Sequence, residues 1–391
     1  MRLMRITTNS QLYLTDFHRR RPEQAAWPYR RQHAALLADC FGWADFWGRA
    51  LAPLGYEAWE PVSNARPQQE AWAREQGVAW AENTWLWDIT RAQVRHYAPE
   101  VLLVNDFQTF SRGFLDDLRR DCPSLRLILG WCGAPYQDPE VFKGYDVVLS
   151  CIPSVVADFR RQGHDSRLLR HAFAPQVAEL VEADSPREVA FAFLGSLVHL
   201  PNAHRSRVRL LEFLARDGWL EIWGDAYAAG RGGCTRPLEP ADPQDDVAPE
   251  YRIPLEFLAR LKPGLWGLDM YRCLARSQVV LNNHIDLAGN HASNMRLFEA
   301  TGMGACLLTE AQPDLGLVFA PEVEVATYQS PEEAREKASW LLAHEPERRA
   351  LARAGQQKTL TSHTFAERAP WLDQIIREKL GGRKPTENAG S

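Results

Sequence analysis

The 391-residue sequence has no uninterrupted apolar run of the roughly 18 residues that a membrane-spanning helix requires. Its start, Met1-Arg2-Leu3-Met4-Arg5, leads into polar residues rather than the apolar core of a secretory leader. A soluble, cytoplasmic protein is expected, with peripheral contact to a membrane surface left open. The chain also lacks an excess of charge of one sign. Its 45 Lys and Arg against 50 Asp and Glu leave a formal net charge of -5, which argues against a nucleic-acid partner. There is no cysteine framework: seven cysteines, Cys40, Cys122, Cys132, Cys151, Cys234, Cys273 and Cys306, are scattered, odd in number and without CxxC spacing, and read as reduced core thiols. Neither G-x-G-x-x-G nor G-x-x-x-x-G-K-[ST] occurs, which argues against a nicotinamide dehydrogenase and a P-loop ATPase. The sequence has no compact Asp-x-Asp and no His/Cys cluster at ligand spacing, so no essential metal and no resident cofactor are expected.

What is present is enough apolar material for two cores, 45% hydrophobic against 24% charged residues. Most of the 14 tryptophans fall before residue 135; core packing and helix docking explain them better than a sugar-stacking surface. Short apolar runs alternate with helical patterns, the rhythm of a parallel sheet covered on both faces. Strands are expected at Leu3–Thr8, Glu57–Val62, Val101–Asn105, Leu125–Gly130, Val147–Cys151 and Ser166–His171. Helices are expected at Tyr29–Leu51, Arg91–His96, Phe114–Arg120 and Ser154–Gln162, the last opened by Pro153 and closed by Gly163.

An acidic, Pro-containing stretch, Glu179–Arg187, reads as a linker, after which the rhythm restarts. Strands are expected at Val189–Leu194, Leu220–Gly224, Val279–Asn282, Ala305–Thr309 and Glu322–Tyr328, with helices at Val208–Arg216, Leu268–Arg276, Asn294–Gly302 and Pro331–Ala343. Gly, Pro and Asp dominate between Ala228 and Pro254, which reads as an irregular surface excursion. This gives domains at 1–180 and 181–368, a helix over 369–380 and a loose polar tail over 381–391. Two such lobes in tandem place the C-terminal ends of their strands at a shared crevice, where open sheets bind ligands.

The most informative segment runs from Leu281 to Glu310. A strand ends, a loop rich in Gly, Asn and His follows, and a helix begins near Ser293 or Asn294. A helix N-terminus offers unpaired N–H groups to a diphosphate. Arg296 can add a charge-assisted hydrogen bond, and the Glu299 carboxylate can accept two from a ribose diol. The plainer alternative is a Ser293 or Asn294 cap with Arg296 and Glu299 as a surface pair. Gly195-Ser196 after a strand brings backbone N–H groups close to a phosphate or makes an ordinary turn. Arg205 neutralises a departing diphosphate or is a solvated helix residue.

Asn294-Met-Arg-Leu-Phe-Glu-Ala-Thr-Gly-Met-Gly-Ala-Cys-Leu-Leu-Thr309 resembles the NxRxFEAxxxGAxLLT signature of group 1 glycosyltransferases of the spore-maturation-protein type. The resemblance continues through Leu317-Val-Phe, Glu324–Tyr328, His344–Arg349 and Ala354-Gly355 to His363–Arg368. Upstream it takes in Phe193–Ser196, His204-Arg205, Gly267–Tyr271 and Leu281-Asn282. It implies an α/β architecture of the GT-B kind, two Rossmann-like domains facing each other across a cleft. It also implies that Glu299 holds the donor ribose, that Asn294 and Arg296 belong to the same donor site, and that Gly195 and Ser196 form the donor loop. Gly224-Asp225 falls where nucleobase contacts are usual, although a simple turn explains it too. Many relatives carry a glutamate eight residues before the ribose-binding one, against the transferred sugar; here that position is His291, which is alternatively a capping histidine.

The activity implied is transfer of a sugar, of the hexosyl class, from a nucleotide-diphosphate sugar to a glycan or other hydroxyl-bearing acceptor, as in polysaccharide or glycoconjugate biosynthesis. Such a reaction develops negative charge on the leaving diphosphate, which helix N-termini and basic side chains stabilise. The acceptor is expected in the first lobe, where Asp106, at a strand end, or His18 takes its proton if the reaction inverts. Asp106 is alternatively a helix cap. A nucleotide-sugar epimerase or hydrolase, or a catalytically silent binder, would use the same diphosphate seat.

Overall fold

The computed structural model describes residues 1–181, 186–200, 202–229, 235–239 and 242–381. The chain forms two compact units, one from Met1–Ser150, Val156–Leu169 and the segment from Phe365 onward, the other from Cys151–Val155 and Arg170–Thr364.

The first unit is built on a six-stranded, wholly parallel sheet: β1 (Arg2–Ile6), β2 (Glu57–Trp59), β3 (Val101–Val104), β4 (Leu127–Trp131), β5 (Val147–Ser150) and β6 (Ser166–Leu168), in the order β2-β1-β3-β4-β5-β6. β3, β4 and β5 are buried along their whole length, as expected of parallel strands covered on both faces. Helices α1 (Gln11–Arg20), α2 (Tyr29–Ala38), α3 (Phe46–Leu51), α4 (Arg66–Glu75), α5 (Trp85–Tyr97), α6 (Arg112–Asp121) and α7 (Pro153–Arg161) run between the strands.

The single helix expected over Tyr29–Leu51 is two, α2 and α3. Cys40, Gly42 and Ala44 all take positive φ values, and this left-handed stretch ends α2 and redirects the chain. Helices α1 and α4 were not among the expected elements; α5 begins at Trp85 rather than Arg91, because aromatic residues also hold its first turns. At the centre of the unit, Arg5 Nη2 meets Glu60 Oε2 at 3.0 Å, both side chains being almost fully buried. Burial raises the Glu60 carboxyl against the pull of Arg5, whose second contact is the Ala44 carbonyl, and Gly48 N–H donates to Glu60 Oε1 at 2.7 Å.

The second unit carries a five-stranded parallel sheet: β7 (Val189–Leu194), β9 (Leu220–Trp223), β12 (Ser277–Asn282), β13 (Cys306–Glu310) and β14 (Ala326–Tyr328), ordered β14-β13-β12-β7-β9. A smaller sheet joins β8 (Leu197–His199), β10 (Ala226–Ala229) and β11 (Thr235–Leu238). The excursion expected to be irregular thus holds a β10–β11 pair, antiparallel, with Ala226 opposite Leu238. Its apolar alternation is short, and Gly and Pro mask it. Helices α8 (Gln176–Leu180), α9 (Arg205–Ala215), α10 (Leu255–Leu258), α11 (Gly267–Arg276), α12 (Arg296–Gly302), α13 (Pro331–Ala343) and α14 (Glu345–Ser362) complete the unit. β14 is shorter than the strand expected over Glu322–Tyr328. Glu322 takes φ +61 and its carboxylate accepts from Thr327 N–H and Oγ1, which makes the beginning of that segment a turn.

After Thr364 the chain rejoins the first unit as α15 (Phe365–Gly381). Phe365 packs on Phe46 and Trp47, Tyr56 Oη donates to Asp373 at 2.7 Å, and Trp371 Nε1 donates to the Leu168 carbonyl. The six described cysteines are buried free thiols. Cys234, residues 182–185 of the expected linker and residues 382–391 of the expected tail lie outside the described residues.

Candidate active site

In the second unit the segments that follow β7, β9 and β12 carry the sequence-derived donor residues. β7 ends at Leu194, and Gly195 and Ser196 follow. Gly195 N–H donates to Trp223 O and Leu197 N–H to Asp225 O. The Ser196 N–H between them meets no acceptor among the described residues. Gly224 lies directly beneath this loop: a Cβ there would stand 2.1 Å from Gly195 O. The two glycines are therefore one feature, a close backbone crossing that only hydrogen permits.

Arg205 opens α9 but its side chain is exposed, and the Asp286 carboxylate caps the helix by accepting from Arg205 N–H at 2.8 Å and Ser206 N–H at 3.3 Å. The cation behind the loop is instead Arg207, 7% exposed. Its Nη1 donates to Ser196 O at 2.9 Å and its Nη2 to Asn283 O at 2.9 Å, and its guanidinium lies over the Phe193 ring. Arg207 Nη1 also faces His204 Nε2 at 2.9 Å, while Val198 N–H points at His204 Nδ1 at 3.0 Å. A neutral imidazole accepts at one nitrogen only, so it cannot satisfy both donors. Arg207 Nε is buried without a partner, and no carboxylate lies within ion-pair distance among the described residues. Burial pushes this guanidinium down to about 10, and Arg296 adds to the shift against the pull of Tyr328, Asp286 and Glu310. A buried cation with only neutral partners keeps its charge uncompensated among the described residues. The sequence contained a signal for it: Arg207 shares the helical face of Leu211 and Leu214, whereas Arg205 does not.

The β12 end ties this cation to the segment that resembles the family signature. Asn283 O accepts from Arg207 and also from Asn294 Nδ2 at 3.1 Å, and the same amide donates to Asn282 Oδ1 at 2.7 Å. Asn294 thus fastens the loop and does not cap the helix. α12 starts later than expected, at Arg296, with no side-chain cap. Among the described residues, the N–H groups of Asn294 to Leu297 have no acceptor. Arg296 and Glu299 pair at 2.9 Å, but not at the surface, their side chains being 14% and 7% exposed. Arg296 is steadied by Met270 Sδ at 3.2 Å and Tyr271 Oη lies 3.4 Å from Glu299 Oε1, which leaves that oxygen with acceptor capacity.

His291 is positioned by an acid. Its Nδ1 lies 3.0 Å from Asp314 Oδ2, while Asp314 Oδ1 accepts from Ala292 N–H at 2.8 Å. The contact with the carboxylate assigns a proton to Nδ1 and leaves Nε2 without a partner among the described residues. Arg170 Nη1 donates to Ala292 O, and its other terminal nitrogen reaches within 3.8 Å of Asp314. If His291 Nε2 contacts the transferred sugar, Asp314→Asn should lower turnover about tenfold with little change in nucleotide affinity, since the amide oxygen can still accept from Ala292 N–H while the carboxylate that orients the ring is lost. Separate measurements of kcat and UDP affinity check this.

In the first unit, Asp106 follows β3 and accepts from Thr8 Oγ1 at 2.5 Å, Gln108 N–H at 2.9 Å and Thr109 N–H at 3.0 Å. Asp106 thus fastens the turn after β3 and caps no helix; α6, which follows, is capped by Ser111, whose Oγ accepts from Phe114 N–H. His18 sits in the last turn of α1 against Phe17, its Nε2 buried without a partner, and burial holds it below its ordinary 6.5 and so neutral near pH 7.

This is the architecture of the GT-B class: two units, each a parallel sheet flanked by helices. The sequence model of the glycosyl transferase-like family matches residues 205–374, a span that includes Arg207, His291, Asn294 and Glu299. Together with the fold, this match supports a group 1 glycosyltransferase and a transferase activity. No curated protein matches the sequence.

Solved structures similar in fold include sucrose-phosphate synthase from Thermosynechococcus elongatus (12% identity, 98% of this chain and 100% of that one, TM-score 0.54). Anabaena HepE, crystallised with UDP and glucose, is similar at 9% identity over 97% of this chain and 100% of its own, TM-score 0.52. AviGT4, a glycosyltransferase involved in avilamycin A biosynthesis, is similar at 13% identity over 98% and 99%, TM-score 0.51. At such identities the likeness shows the fold alone. No helix among the described residues is long and apolar enough to cross a membrane.

Proposed function

We propose that the protein is a glycosyltransferase that moves a hexosyl group from a nucleotide-diphosphate sugar to a hydroxyl-bearing acceptor, and that it is of the spore-maturation-protein type. The observation that carries the reading is Arg207, a buried guanidinium without a carboxylate that shares the Asn283 carbonyl with Asn294 directly behind the Gly195-Ser196 loop. The diphosphate lies against Ser196 N–H, the free N–H groups from Asn294 to Leu297 and the field of Arg207, where negative charge on the leaving oxygen is stabilised as the anomeric bond breaks. Glu299 Oε1 accepts from the donor ribose, Gly224-Asp225 faces the base, and His291 Nε2 meets the sugar. Anabaena HepE, crystallised with UDP and glucose, is consistent with a UDP-type donor. The acceptor is held by the first unit, with His18 or Asp106 as its base if the reaction inverts. No metal or other cofactor takes part, so turnover is expected to persist in EDTA.

Thermal-shift and calorimetric screening of UDP-, GDP- and ADP-sugars, followed by nucleotide release with and without candidate acceptors, tests this. Acceptor-dependent release supports transfer; release or isomerisation without acceptor replaces it with a hydrolase or epimerase, and binding without turnover with a silent binder. Glu299→Gln is the sharper variant than alanine, because it keeps the side-chain volume beside buried Arg296. It should weaken UDP binding about 30-fold through loss of a charged acceptor worth about 2 kcal/mol. Unchanged affinity removes Glu299 from the ribose site.

A further inference from the structure

The second unit has a basic cavity at the end of its five-stranded sheet opposite the donor residues. We propose that it binds a small organic phosphate carrying at least two negative charges, such as a sugar bisphosphate. The cavity measures about 500 Å3 and is lined by Arg187, Arg348, Arg349, Arg353, Gln278 and Gln356, with Glu345 the one carboxylate among the described lining residues. Arg187 precedes β7, Gln278 is the second residue of β12, and Gly304 turns the chain into β13, so the cavity sits where these strands begin. The donor residues sit where the same strands end, and the six residues of β7 span about 20 Å. The two sites are therefore separate, and the inference does not depend on the donor reading.

The cavity is built rather than incidental. Arg187 Nη1 donates to Ala275 O at 2.8 Å and Ser277 O at 2.9 Å, and its Nη2 to Met303 O at 3.2 Å, which fixes the guanidinium. Gly304, at φ +70, makes room for it: a Cβ there would lie 2.9 Å from Arg187 Nη2 and 3.0 Å from Gln356 Nε2. Arg348, 8% exposed, donates through Nη1 to Leu341 O and Leu342 O, and among the described residues its Nε and Nη2 donors have no partner. Arg353 is exposed and has no carboxylate within ion-pair distance among the described residues, while Arg349 on the rim pairs with Glu345 at 2.6 Å. Guanidiniums with unspent donors match phosphate oxygens bidentately. The volume exceeds what inorganic phosphate fills and falls in the range of metabolite pockets. Gln278 and Gln356 offer amides to hydroxyl groups of the ligand.

Calorimetry of fructose 1,6-bisphosphate and inorganic pyrophosphate at about 0.15 M salt, where loose surface attraction is screened, tests the proposal. The sugar bisphosphate should bind the wild type, and the Arg349→Ala/Arg353→Ala double variant, altered only at exposed side chains of α14, should bind it at least 30-fold more weakly. The Arg349→Ala/Arg353→Lys variant should recover only part of the loss. Arg207→Met, at the other end of the strands, should leave this binding unchanged. Absence of binding, binding of pyrophosphate alone, undiminished affinity in the double variant, or loss in Arg207→Met instead would each overturn the proposal.

Discussion

Arg207→Met should remove the thermal stabilisation that UDP gives the wild-type protein while leaving the unliganded melting temperature within a few degrees. Two opposing terms set the second half of this result. The substitution ends the cost of a buried cation, whose acidity is already raised by burial and by Arg296. It also takes the Arg207 donor from Ser196 O and leaves Asn283 O with only that of Asn294 Nδ2. The first half has no such compensation. Loss of the buried charge behind the diphosphate costs about 2.7 kcal/mol, close to 100-fold in affinity. A ligand at 100 times its wild-type dissociation constant stabilises by about 2.7 kcal/mol, and after that loss by only about 0.4. Scanning calorimetry with and without UDP reads both. A variant that unfolds before ligand is added would make Arg207 a packing residue; one that keeps the full UDP shift would place the diphosphate elsewhere.

The second large effect is expected at Gly224. An alanine methyl would meet Gly195 O at 2.1 Å and Leu197 Cδ1 at 3.0 Å. The first obstacle is backbone, which no rotamer change relieves. Either β9 or the Gly195-Ser196 loop must move, so Gly224→Ala should destabilise the second unit by about 2–3 kcal/mol, lower its melting temperature by roughly 5–10 °C and weaken nucleotide binding together. Gly316→Ala is the control, since nothing lies within 4 Å of a Cβ at that position. Equal behaviour of the two variants would show that the crossing of the two glycines is looser than the geometry states.

Both expectations turn on features that the sequence expressed unequally. Continuous apolar runs such as Val101–Val104 and Val147–Ser150 are specific enough to read as buried parallel strands, and Val189–Leu194 and Pro331–Ala343 have the ends that their patterns predict. The helix break after α2 was less legible, because Cys40 and Ala44 take left-handed conformations that neither residue type advertises. The small sheet through β10 and β11 was hidden for the opposite reason: its residues resemble loop composition, and pairing with β8 makes them strands.

The order of residues alone determined the two-unit α/β plan and the importance of the Asn294–Thr309 segment, because burial periodicity and a spaced set of polar side chains are properties of the chain itself. Tertiary structure decided which arginine of α9 is buried, that Asn294 fastens a loop instead of capping a helix, and that Gly195 and Gly224 are one contact. Those outcomes depend on which groups meet across strands far apart in sequence. The Arg207 guanidinium is buried among carbonyls, with no carboxylate within ion-pair distance among the described residues, only because the fold brings Ser196 and Asn283 to it.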